Sequence, residues 1–93
     1  MKAVLDGNTI ADSNDTVAVH GYDYFPLAAV RTELLEKAPK TLKDLECPHG
    51  VQFYDVVIGA ERHARNAWIY EAPRPAMGAV TDRVGFWEDV KIE

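Results

Sequence analysis

Apolar and polar residues alternate in the first part of the chain, which is the pattern of half-buried strands. Two short apolar runs flank the pair Asp6-Gly7, and an Asp-Gly pair supplies the positive φ angles of a two-residue hairpin turn. A second turn signal, Ser13-Asn14-Asp15, precedes residues 16–20, in which the side chains alternate between two faces. The sequence therefore predicts a meander of three antiparallel strands over residues 2–20.

The next segment has its apolar residues at helical spacing. Leu27, Val30 and Leu34 lie three or four positions apart, as they do on one face of a helix. Proline fits the first helical position, where its missing N–H costs no hydrogen bond, so the helix is expected to begin at or next to Pro26. The pattern predicts one helix over residues 26–36.

The strongest strand signal comes after a polar stretch, residues 37–46, which we expect to be a surface loop. Residues 51–58 are largely apolar in both alternating sets, which is typical of a central strand covered on both sides. Gly59 marks a turn, and the return strand carries Trp68 and Tyr70 on one face because side chains alternate along a strand.

The last part of the chain predicts short elements. Prolines interrupt the pattern after residue 70, residues 76–80 are long enough for two helical turns at most, and residues 84–87 and 90–92 close the chain as short strands. Seven or eight short antiparallel strands with one helix predict a mainly β fold, a β-dominated α+β domain.

Composition and charge narrow the class of protein. A chain of 93 residues forms one domain, residues 1–93. Its net charge of −5 disfavours a nucleic-acid partner, because phosphate binding needs clustered cations. The single cysteine predicts no internal disulfide, and no apolar run is long enough for a membrane span or a signal peptide. We therefore expect a cytoplasmic protein with no membrane partner.

Several short motifs follow one another along the chain, each occurring once: Tyr24-Phe25-Pro26, Leu34-Leu35, Cys47-Pro48-His49-Gly50, Tyr54, Asn66-Ala67-Trp68-Ile69-Tyr70, Pro73-Arg74-Pro75 and Arg83-Val84-Gly85-Phe86. In this order they resemble the bacterial domain-of-unknown-function family 427, which is also labelled a nucleotidyltransferase-like domain. The resemblance implies a β-tent fold, and a shared fold does not supply a function. The family's Cys-Pro-Trp-Lys-Gly is one residue shorter here and has lost its lysine, so any anion contact of that lysine is lost too.

Cys47 and His49 are the weak candidates for catalysis. A histidine beside a thiol can lower the pKa of the thiol and make it a nucleophile. The alternative is an inert thiol packed as a small hydrophobe at the start of a strand. A mixed metal site could combine this pair with His20 and His63, but the spacing matches no ligand signature, so we expect no metal and no cofactor.

Nucleotidyl transfer needs two carboxylates for divalent metal and a cradle for phosphates. Asp12 and Asp15 supply two carboxylates, but they stand in a turn sequence where such side chains bond their own backbone. The sequence has no phosphate-loop pattern. The residues thus give the family label little support.

The remaining signal is a set of aromatic residues. The alternative to a binding role is that they fill the core. The sharper interpretation is a concave apolar cleft with Cys47 and His49 at its rim, and its walls would be Tyr24, Phe25, Tyr54, Trp68 and Tyr70.

These patterns leave three functions open. The leading hypothesis is a non-catalytic domain that binds a small molecule or peptide in the aromatic cleft. The first alternative is an enzyme that uses Cys47 with His49 or transfers nucleotides. The second is an interaction module or homodimer formed through a strand edge, and exposure of Trp87, Val90 and Ile92 would favour it.

Overall fold

The computed structural model describes residues 1–93 and confirms the mainly β class. Nine strands form two antiparallel sheets. The strands are β1 (Lys2–Leu5), β2 (Asn8–Asp12), β3 (Val17–Val19), β4 (Tyr22–Pro26), β5 (Leu35–Lys37), β6 (Val51–Ile58), β7 (Glu61–Tyr70), β8 (Arg83–Phe86) and β9 (Lys91–Ile92). The helical segments are short: α1 (Leu42–Leu45) and the 3₁₀ segments Leu27–Ala29, Thr32–Leu34 and Pro75–Val80.

The small sheet has the strand order β2-β1-β9. Its hairpin turns at Asp6-Gly7, where φ is 48° and 79°, as predicted. The predicted place of the third strand in this meander is wrong, because β3 pairs with β4 in the other sheet. His20 and Gly21 both have positive φ and form the two-residue turn of a second hairpin. The sequence analysis missed that turn.

The large sheet has the strand order β3-β4-β8-β7-β6-β5. The predicted central strand is confirmed as β6, which pairs with β7 on one side and β5 on the other. The predicted return strand is the ten-residue β7, and the two short closing strands are β8 and β9. The helical turns expected near residues 76–80 are the 3₁₀ segment Pro75–Val80.

The helix predicted over residues 26–36 is wrong. Pro26 is the last residue of β4, opposite Arg83, and two 3₁₀ turns follow it. The backbone between these two turns bonds to β2: Val30 forms a bridge with Ala11, and the Arg31 N–H donates to the Ile10 carbonyl over 2.8 Å. Those bonds replace the helical ones, so tertiary pairing overrides the local pattern.

The segment predicted as a loop, residues 37–46, contains α1. Thr41 and Asp44 form a reciprocal capping box, in which each side chain accepts a hydrogen bond from the other's backbone N–H. The sequence Thr41-Leu42-Lys43-Asp44 carries this signal with Asp in place of the usual Glu. The cap therefore explains why a helix only four residues long is ordered here.

Side-chain alternation divides the apolar residues between the two faces of the large sheet. One face packs against the small sheet and forms what we call the inter-sheet core, which includes Leu5, Ile10, Phe25, Val56, Ala67, Val84 and Phe86. The other face, which we call the aromatic face, includes Tyr24, Val51, Trp68, Met77 and Val80 with the partly buried Cys47, Phe53, Tyr70 and Trp87. The inter-sheet core and the aromatic face thus come from the same strands but lie on opposite sides of the large sheet.

The helical segments are all short, and the longest, Pro75–Val80, has six residues. None is long and apolar enough to cross a membrane.

Candidate ligand-binding groove

Trp68 lies at the centre of the aromatic face. Its ring centroid is 5.1 Å from that of Tyr22, 5.9 Å from Tyr24 and 5.4 Å from Trp87, and all three pairs meet edge to face. This is the geometry that aromatic quadrupoles prefer, and each pair contributes about 0.5–1.5 kcal/mol beyond the burial of its area. The rings thus form a fixed platform on the sheet.

Gly85 allows Trp68 to lie this close to β8. A Cβ atom at Gly85 would come within 2.6 Å of the Trp68 ring atoms Cε2 and Cζ2. That approach is shorter than any normal contact, so only glycine lets the indole rest directly on the backbone of the strand.

A groove of about 400 Å³ opens beside this platform. Its size lies within the range of small-molecule sites. The lining comes from α1 and the turn after it, from β6 and β7, and from the segment that follows β8. The lining residues are Lys43, Asp44, Cys47, Val51, Phe53, Arg65, Tyr70 and Trp87.

A bulge in β7 places Arg65 in the groove. Tyr54 pairs with Ala67 and Val56 pairs with His63, so residues 64–66 stand opposite a single residue of β6. Arg65 has φ of 57°, a left-handed conformation that is uncommon for a non-glycine residue. Such bulges re-aim side chains, and here the guanidinium carbon lies 4.0 Å from the centre of the Phe53 ring.

Asp44 holds the other side of the Arg65 guanidinium. Its two carboxylate oxygens accept hydrogen bonds from Arg65 Nη2 and Nη1 over 2.9 and 3.0 Å, and the Thr41 N–H donates to one of them. The bonds from Arg65 lower the pKa of Asp44 to about 2, against the effect of burial. Asp44 is only 6% exposed, so its charge is buried, paired and present at every physiological pH.

Polar atoms also converge under the groove. The Trp68 side chain is 4% exposed, and its indole N–H is buried with no hydrogen-bond partner in proper geometry. Burial is the main reason that the pKa of the nearby Tyr70 hydroxyl is raised to about 12; Tyr24 acts in the same direction and Trp68 opposes it. The hydroxyl is therefore neutral and can donate or accept a hydrogen bond.

The predicted pair Cys47 and His49 is not joined by a hydrogen bond. Cys47 is half-buried and lines the groove. His49 Nδ1 accepts a hydrogen bond from the Arg74 N–H over 3.0 Å, and its ring packs edge-on against Tyr70 at 5.8 Å. His49 thus contacts both the Arg74 backbone and the Tyr70 ring, and its hydrogen bond goes to that backbone.

The structure brings together part of the predicted aromatic set. Tyr70 and Cys47 line the groove, Tyr24 and Trp68 lie on the same face, and His49 packs at its edge. Phe25 and Tyr54 point to the opposite face, where Phe25 is 0% exposed in the inter-sheet core and Tyr54 packs against it. One hollow shared by all seven side chains does not form. The reason is strand alternation, because Tyr24 and Phe25 are neighbours on β4.

The sequence analysis missed part of the lining. Phe53 could have been found by alternation, since it stands two residues after Val51 on β6 and so shares its face. Lys43 and Asp44 could have been found from the capping box of α1. No sequence signal reveals Arg65, because its position depends on the bulge.

The mixed metal site weighed for Cys47, His49, His20 and His63 does not form. The group with suitable ligand atoms is Asp6, Glu61 and His63, whose atoms lie within 4.8 Å of one another. A hydrogen bond with Asp89, at 2.9 Å from Nδ1, raises the pKa of His63. His63 Nε2 also lies 3.5 Å from Glu61 and 3.8 Å from Asp6, so the three side chains form an ion-pair cluster when the imidazole is protonated.

The match to known proteins covers the whole chain. Residues 1–93 match the model of a family described as a domain of unknown function (DUF427), and that model carries the label NTP_transf_9. No curated protein matches the sequence significantly. The full-length match shows that this chain belongs to the DUF427 family.

Proposed function

We propose that this protein binds a small, planar molecule in the groove and does not transform it. The observation that carries the proposal is the set of three rings, Phe53, Tyr70 and Trp87, that face an open groove of about 400 Å³ while the Trp68 platform holds them from below. Rings that are fixed before binding lose little conformational entropy when a ligand arrives, which favours affinity.

The shape of the wall favours a flat ligand. The Phe53 and Trp87 rings are stacked, with their centroids 5.9 Å apart and an interplanar angle of 26°, so two nearly parallel flat rings line the groove. Aromatic rings prefer offset stacking on such a surface. The neutral Tyr70 hydroxyl, Lys43 and Arg65 add polar groups to a mostly apolar wall, which is the usual anatomy of a ligand pocket.

The polar groups of the groove favour binding over catalysis. The Asp44 carboxylate is fully engaged by Arg65 and Thr41, so it is not free to act as a base. Cys47 has no hydrogen-bonded histidine beside it. A general base needs a free, positioned proton acceptor, and a nucleophilic thiol is commonly activated by an adjacent base.

The test is a screen of planar aromatic fragments by NMR. The chain has two tryptophans, both on the aromatic face, so ¹⁵N-labelled protein gives two indole N–H signals that report on the groove directly. We expect fragments that bind to shift one or both of these signals. They should also raise the melting temperature, since a ligand at a hundred times its Kd adds about 2.7 kcal/mol.

Two neighbouring residues of β6 provide a matched control. Phe53→Leu removes a ring from the groove, whereas Tyr54→Leu removes one from the opposite face of the same strand. The proposal expects Phe53→Leu to weaken binding at least several-fold and Tyr54→Leu to leave it unchanged. A library that moves neither indole signal, or a fragment weakened equally by both variants, would contradict it.

A further inference from the structure

The charges around the groove select among planar ligands. The protein as a whole carries a net charge of −5, but the groove has two cations, Lys43 and Arg65, and one anion, Asp44. The local balance is therefore opposite in sign to that of the molecule.

Asp44 does not repel an incoming anion strongly. Both of its oxygens already accept hydrogen bonds, and its side chain is turned away from solvent. Arg65 donates hydrogen bonds to this carboxylate from only two of its five N–H groups, so three donors remain for a second partner. The ion pair fixes the guanidinium over Phe53 and leaves part of it available.

Lys43 supplies the unbalanced charge. It lies on the exposed side of α1 at the rim of the groove and forms no ion pair. Lys40, by comparison, is paired with Glu71 over 2.9 Å. A negative group on the ligand would therefore meet one free ammonium and the unused edge of one guanidinium.

We infer that the groove takes a planar aromatic carboxylate; the inference rests on the proposed ligand-binding function and names its ligand class. The ring lies against Phe53 and Trp87, and the carboxylate lies at the rim between Lys43 and the unused N–H groups of Arg65. Arginine binds carboxylates through a planar fork and lysine as a point charge, so the two cations complement each other at one anionic group.

Three probes share an indole ring and differ in the charge of the side chain, so they distinguish the contribution of the ring from that of the charge: indole-3-acetate, indole-3-acetamide and tryptamine. We expect indole-3-acetate to bind about fivefold more tightly than the neutral amide, the scale of one partly exposed ion pair. Tryptamine, a cation, should bind most weakly. The preference for the acetate should shrink as salt is added, because partly exposed charges are screened. The two ¹⁵N indole signals of the protein measure all three affinities.

Lys43→Gln tests the rim directly. It should lower the affinity for indole-3-acetate toward that of the amide, with the Arg65 contact remaining, and leave the affinity for the amide unchanged. Lys37→Gln, at an exposed lysine of β5 outside the groove, is the matched control and should change neither affinity. Unshifted indole signals in the ligand-free variants show that the groove is intact.

The outcomes distinguish a failure of the anionic ligand class from a failure of the ligand-binding function. If the amide or the amine binds as tightly as the acetate, or if Lys43→Gln leaves the acetate unaffected, the anionic class is overturned and the groove remains a ligand site. If none of the three probes nor any library fragment moves either indole signal, both conclusions fall.

Discussion

The two faces of the large sheet are built from the same strands and differ in how they are covered. The inter-sheet core is closed by a second sheet, and small residues such as Ala3, Ala11 and Ala67 are fully buried in it. The aromatic face is covered only by a 3₁₀ segment and by four-residue α1. This incomplete cover leaves an open groove beside the large rings, so the size of the covering element decides which face stays open.

The comparison also shows two ways of using aromatic residues. Phe25 and Phe86 meet edge to face at 5.7 Å inside the inter-sheet core and serve packing alone. Phe53 and Trp87 are only half-buried and are held by Arg65, which lies over one ring and accepts a hydrogen bond from the other through its carbonyl. The second arrangement keeps rings ordered without burying them.

The largest expected effect is a difference between Phe25→Ala and Phe53→Ala. The first opens a cavity in the closed core and should lower the free energy of unfolding by about 3–5 kcal/mol. The second removes a ring that is partly in water and should cost about 1–2 kcal/mol. Urea unfolding measures both. Equal losses would mean that the aromatic face is as closed as the core.

Phenylalanine-to-leucine changes at the same two positions cover the case in which Phe25→Ala fails to fold. The order of the two effects should persist, with both values smaller because leucine keeps most of the buried carbon.

Asp44→Ala should have the next largest effect, about 2 kcal/mol in the free energy of unfolding. It removes the Asp44 half of the capping box of α1, although the Thr41 side chain can still cap the helix, and it leaves the partly buried Arg65 without its partner. Glu33→Ala, which breaks an exposed pair with Arg31, is the control and should change stability by less than about 0.5 kcal/mol. A loss at Asp44 no larger than that at Glu33 would show that α1 is held by other contacts.

The smallest expected effect is a pH dependence at the edge of the inter-sheet core. The hydrogen bond to Asp89 raises the pKa of His63, with Glu61 and Asp6 acting in the same direction and burial opposing them. Folding thus favours the imidazolium. Its stabilisation is complete below the unfolded pKa of about 6.5 and is lost as the pH rises through the higher folded pKa.

Urea unfolding at pH 6 and pH 8.5 measures this effect. The wild-type protein should lose up to about 1 kcal/mol more than His63→Gln between the two values. The other titratable groups are the same in both proteins, so the difference between the two reports on His63 alone. An identical pH dependence in both proteins would rule out the imidazolium cluster as a source of stability.

Local patterns predicted the parts of the fold that depend on local geometry. The Asp6-Gly7 turn, the central strand and the shared face of Trp68 and Tyr70 follow from turn chemistry and from alternation. The helix near Val30 was wrong because its backbone bonds to a strand twenty residues earlier, and no local pattern carries that information.

The candidate site was predictable to a similar extent. Cys47 and Tyr70 were found because they stand in uncommon motifs at strand ends. Phe25 was misplaced because the false helix hid its position on a strand, where alternation would have put it opposite Tyr24. Arg65 depends on a bulge, which long-range pairing creates.

The glycine in β8 has a consequence for how this groove can vary. Gly85 touches no part of the groove, yet the absence of its side chain sets the height at which the Trp68 indole rests. A methyl group at this position would displace the Trp68 indole, against which the Phe53 and Trp87 rings of the groove pack. The packing of the rings along the groove thus depends on a backbone position that does not line it.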